Sequence, residues 1–168
     1  MLSRRLLRIK VAKALFAHLK SDADNMIASE KTLMASIDKA YDLYFLMLAL
    51  PVELARYAGQ RIEIAKAKKL PTFEDLHPNT KFVDNAVIRT IANSDAVNDH
   101  LAARKLGWAQ HPDFIRTLYG QLCESEYFQD YMARGERSFD DDRRLVEDFF
   151  KEMQTCDALD DLLEEISI

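Results

Sequence analysis

The chain has 168 residues, of which 48% are hydrophobic, with a net charge of −5 and two cysteines. That is enough apolar material for a real core in one medium domain or two small ones. The longest apolar run, Phe45 to Leu50, falls short of the roughly 20 residues a bilayer span needs. Cys123 and Cys156 have neither CxxC spacing nor histidines at ligand spacing, which argues against a disulfide framework or a zinc site and for reduced, mostly buried thiols in a cytoplasmic protein.

Charge divides the chain. Residues 1–70 hold 13 Lys and Arg against 7 Asp and Glu, whereas residues 71–168 hold 10 against 21. The expected organisation is therefore a basic helical segment, 1–70, followed by an acidic helical segment, 71–168. Leu and Ala, 21 and 20 residues, far outnumber the 22 Val, Ile and Thr taken together, and no Asn-Gly or Asp-Gly turn occurs. An all-α bundle of about seven or eight helices follows.

Ser3 is placed to cap a first helix that runs to about Lys20, and Ser-Asp-Ala-Asp-Asn at 21–25 reads as a loop. Ser29 is placed to cap a long second helix in which Leu33, Ile37, Ala40, Tyr41 and Tyr44 recur at helical spacing. The pattern resumes beyond Pro51 through Leu54, Ala58 and Ile62. Unbroken, residues 29–69 would span about 60 Å, so the expectation is a helix kinked or split near Pro51, or one that projects.

A prolyl stretch at 68–80 carries a cap-like Thr72-x-x-Asp75 and marks the boundary. Ser94 begins a later helix that Gly107 ends, and Pro112 suits a first helical position. Ser125, Ser138 and Asp157 precede helices at 126–133, 139–155 and 158–166. The last, an amphipathic segment, stops abruptly, as expected of the N-terminal part of a longer protein.

No enzyme motif is present: there is no Gly-rich phosphate loop, GxSxG or HExxH, and no catalytic residue, cofactor or metal is implied. His18 shares a helix face with Leu7, Val11 and Ala14, which fits a packed imidazole, and His77 and His111 precede prolines as loop or cap residues. Asp140, Asp141 and Asp142 suit the first turn of a helix, where the macrodipole attracts anions. The late aromatics, from Trp108 to Phe150, are expected in the core, and the acids around them make a poor nucleic-acid platform.

The first helix is different. Its opening twenty residues hold Arg4, Arg5, Arg8, Lys10, Lys13 and Lys20 and no acid. Three arginines in the first turns oppose the helix macrodipole by a few tenths of a kcal/mol each. On a wheel the arginines span roughly 100° of one side and the lysines lie on another, flanking the stripe of Leu7, Val11, Ala14 and His18. Phosphates of a nucleic acid would reward this arrangement. An anionic membrane surface, a transit peptide and a merely solvated face also fit it.

Arg4-Arg5-Leu6-Leu7-Arg8, followed by Ala12, Ala14, Leu15 and Phe16, resembles the opening helix of the NusB transcription antitermination proteins, typically Arg-Arg-x-Ala-Arg and then Ala-x-Gln-Ala-Leu-Tyr. Leu7, Lys13 and Phe16 depart from that pattern. The segment 38–58 resembles long NusB forms, while 86–168 has no equivalent in the short ones.

The resemblance implies a non-enzymatic, all-helical factor that binds the boxA element of ribosomal RNA leaders together with the ribosomal protein NusE and acts on RNA polymerase. Arg4, Arg5 and Arg8 carry over as RNA-contacting residues, and charge adds Lys10 and Lys13. Single-stranded RNA is the implied target class. No membrane partner is expected, and a homodimer is left open. The alternative is a helical interaction module whose acidic, aromatic-rich half docks a basic partner.

Overall fold

The computed structural model describes residues 4–20 and 25–167, and side chains from 7 to 163 within those ranges. Among the described residues it is all helical: α1 (Arg4–Lys20), α2 (Met26–Lys66), α3 (Phe73–Leu76), α4 (Ala86–Ala92), α5 (Asp95–Arg104), a 3₁₀ turn (Trp108–Gln110), α6 (Pro112–Glu124), α7 (Glu126–Ala133), α8 (Phe139–Met153) and α9 (Asp157–Ser167). The expected Ser3 cap and most of the 21–25 loop lie outside the described residues.

Start signals explain most boundaries. Thr72 and Asp75 close a reciprocal capping box on α3. Asn85 caps α4, Pro112 opens α6 and Ser138 caps α8. Two expectations are corrected. Helix α2 begins four residues before Ser29's suggested first turn, because the Asn25 side chain accepts from the Ala28 amide at 3.2 Å. Ser29 instead half-buries against α1. Helix α5 ends at Lys105, whose φ of 55° is left-handed, rather than at Gly107, whose φ of 170° is extended.

Helix α2 is the spine. It continues through Pro51 without interruption for 41 residues. Proline inside a helix costs about 3 kcal/mol, but Leu46, Leu50 and Leu54 around it are at most 1% exposed, and each buried leucine is worth about 1.5–3 kcal/mol. Burial on both sides of the proline outweighs the missing bond. Around this stretch pack Phe82, Ile88 of α4, Trp108, the Ile115–Leu118–Leu122 face of α6, Phe128, the Leu145–Phe149 face of α8 and Leu159 of α9. Trp108 donates its indole N–H to the Leu46 carbonyl at 2.9 Å.

One buried polar cluster joins α4, α7 and α8. Asp142, in the first turn of α8 as expected, is only 7% exposed. It accepts from the Ala86 amide at 2.7 Å and from the Tyr131 hydroxyl at 2.6 Å. Lys81, 3% exposed, donates to the Tyr131 and Arg134 carbonyls. Cys123 and Cys156, expected to be reduced and mostly buried, are free and half-buried. No described helix is long and apolar enough to cross a membrane.

Candidate nucleic-acid interface

The acid-free helix α1 folds back on the first turns of α2 as an antiparallel hairpin. Two side-chain contacts set the register: Lys10 Nζ donates to Ser36 Oγ at 2.6 Å, and His18 Nδ1 lies 2.8 Å from Ser29 Oγ. Carried along both helices, this register puts the Arg4–Arg5 turn level with residues 41–43 of α2 and Arg8 level with 38–39. The hairpin is an arm: buried residues of α2 begin only at Phe45.

The sequence-derived cations divide. Arg8 and Lys13 are exposed, and Lys10 is half-buried toward α2 by its bond to Ser36. Arg4 and Arg5 belong to α1, but their side chains lie outside the described residues. Lys20 sits 5.4 Å from the Phe16 ring. Described arm residues 7–20 and 25–41 hold six cations, Arg8, Lys10, Lys13, Lys20, Lys31 and Lys39, against Glu30 and Asp38.

The apolar stripe between the basic strips is only half covered. Leu7, Ala14 and His18 are half-buried, but Val11 is 40% exposed, because a single neighbouring helix covers only a narrow band of α1. Val11, Leu15, Met26 and Leu33 line an open, mainly apolar groove of about 230 Å³ between the two helices.

At the base of the arm two aromatic residues stand level with the backbone of the arginine turn. Tyr41 and Tyr44 are 49% and 47% exposed, with ring centroids 6.5 Å apart and planes within 17°. Both meet buried Phe45 edge-on, at 5.0 and 5.4 Å, and Tyr41 also meets His100 edge-on at 5.2 Å. Sequence reasoning counted both tyrosines as ordinary members of a helical stripe. Their distance from the arginines in sequence hid the neighbourhood, and only the hairpin register reveals it.

The acid between the two tyrosines in sequence, Asp42, is engaged. Arg104 donates to both oxygens of Asp42, the shortest bond being 2.7 Å, and His100 Nε2 lies 2.8 Å from the same carboxylate. The Arg104 guanidinium, aided by His100, holds the Asp42 carboxyl below the usual carboxylate range against the opposing effect of burial. The arm meets the body through an anion already neutralised.

The acidic half looks different in three dimensions from its sequence. Of the three consecutive aspartates only Asp140 is exposed; Asp141 pairs with Arg134 at 3.2 Å and Asp142 is interior. Exposed acids cluster instead on α9, at Asp157, Asp160 and Asp161. Trp108, Phe128, Tyr131 and Phe149 are core, as their spacing suggests, whereas Phe139 is 59% exposed. No protein-family model, curated protein or solved structure matches this chain.

Proposed function

We propose that this protein is an RNA-binding transcription antitermination factor of the NusB type, binding boxA-type leader RNA with NusE and acting on RNA polymerase. The observation that carries the reading is the arginine-led, acid-free helix held on an arm at the edge of an acidic body. A cation-rich strip whose own helix dipole opposes it is favoured by an external anion, and arginine's planar fork suits phosphate. The resemblance of Arg4, Arg5, Arg8 and the Ala12–Phe16 run to the NusB opening helix supplies the specific target.

The test is binding of boxA-type single-stranded RNA at two salt concentrations by the wild-type chain and an Arg4→Ala, Arg5→Ala, Arg8→Ala triple variant. With three phosphate contacts removed, the triple variant is expected to bind more weakly and to lose about 2 from the slope of log affinity against log salt. Equal affinities and equal slopes would refute the assignment.

A second reading has its own observation: the exposed acids of α9. Here the protein is an interaction module whose acidic face receives a basic protein. Neutralising Asp157, Asp160 and Asp161 would then abolish capture of a basic ribosomal protein and leave RNA binding intact. The 140–142 aspartates are unsuitable for this test, since Asp142 holds the core together.

A further inference from the structure

Resting on the RNA-binding reading, we propose that Tyr41 and Tyr44 form a base-stacking platform for the single-stranded RNA whose phosphates the arginine turn of α1 holds. Four observations converge. The hairpin register puts the backbone of Arg4 and Arg5 level with the tyrosine pair, and exposed Arg8 one turn further along α1.

The two rings are nearly parallel and about half exposed. They are also pre-set: Phe45, 8% exposed, meets each ring edge-on, and His100 braces Tyr41 from α5. These near-perpendicular contacts hold the rings in place while about half of each residue stays exposed. Finally, the acid between them in sequence, Asp42, is tied to Arg104 and His100. Asp38, exposed one turn earlier, is the remaining acid on this stretch of α2.

Phosphate contacts and stacked bases are complementary parts of single-strand recognition. The first supplies salt-dependent affinity, the second a contribution that needs bases, and rings held in place lose little freedom when a base lands. Base-on-aromatic stacking changes affinity by about 5- to 150-fold per base. A tyrosine pair that served packing alone would have no reason to discriminate RNA from a base-free strand.

The experiment compares a boxA-type 12-nucleotide RNA with an abasic strand of equal length and charge, using the full chain. Tyr41→Ala/Tyr44→Ala is expected to weaken RNA binding at least 10-fold. Its affinity for the abasic strand and its salt slope should stay at wild-type values, and Tyr41→Phe/Tyr44→Phe should retain RNA affinity.

Because alanine at both sites risks disturbing the arm, the ring resonances of Tyr41 and Tyr44 in the wild-type chain provide a second readout. They should move upfield with RNA and stay unmoved with the abasic strand. Equal losses on both strands, or immobile ring resonances on RNA binding, would overturn the platform. Wild-type chain that binds no RNA would overturn the RNA-binding reading and this proposal together. Wild-type RNA affinity in the alanine variant, with binding lost in the arginine variant, would overturn the platform alone.

Discussion

Asn85 performs two tasks with one side chain. Its Oδ1 accepts from the Val87 and Ile88 amides at 3.0 Å, capping α4, while its Nδ2 donates to the Asp142 carbonyl at 3.2 Å and the Tyr131 hydroxyl at 3.3 Å. It is completely buried. Losing a cap costs about 1 kcal/mol and leaving buried groups unpaired about 1–3 more. Asn85→Ala is accordingly expected to lower unfolding free energy by about 2–4 kcal/mol in denaturant titration.

Asp84 gives a pH dependence. The Thr80 hydroxyl, then Arg137 and the charge of Arg89, hold its carboxyl below the usual carboxylate range. A depressed folded-state pKa means stability that is present above the unfolded value, about 3.9, and is lost as pH falls through that region and below. Asp84→Asn should therefore cost about 1 kcal/mol at neutral pH. The gap from wild type should close on acidification, as followed by thermal melts at several pH values.

At the scale of elements, the end of α5 is a place where local chemistry and observed backbone disagree. Lys105 takes the left-handed conformation that glycine adopts freely, while Gly107 two residues on is extended. A left-handed non-glycine residue costs roughly 1 kcal/mol. Lys105→Gly is expected to raise stability by about 0.5–1 kcal/mol, read as an increased denaturant midpoint at constant slope.

Helix α2 has two lives along one rod. From Phe45 to Ala58 it is wrapped by the bundle, whereas Met26, Ile27 and Met34 are between 53% and 78% exposed. Amides of residues 7–20 and 26–38 should exchange with deuterium well ahead of residues 45–58, since few buried contacts oppose their opening. Uniform protection along α2 would contradict that division.

The whole molecule separates charge as well as packing. Its arm is cationic and its remainder carries the acidic excess, with the junction closed by the Asp42–Arg104–His100 group. Such a separation keeps an anionic ligand on the arm and repels it from the body, so nonspecific binding elsewhere on the surface is suppressed. The salt dependence proposed for RNA binding belongs to this scale, because counterions are released along the whole cationic strip.

Helix content, most helix starts and the aromatic core were legible in residue order, since caps, prolines and apolar spacing act within a turn or two. Thr72, Pro112, Ser125 and Ser138 stand at helix starts. The uninterrupted passage through Pro51 was only one of the outcomes left open, because the burial that offsets the proline comes from Phe82, α4, α6 and α8, more than thirty residues away.

The interior place of Asp142 was not legible, since it depends on Tyr131 and Ala86 meeting it across three helices. The basic strip itself was a sequence property, as charge and helical period are local. Its neighbourhood was decided by the hairpin register alone: two polar contacts between α1 and α2 put the backbone of an arginine turn level with two tyrosines some forty residues later.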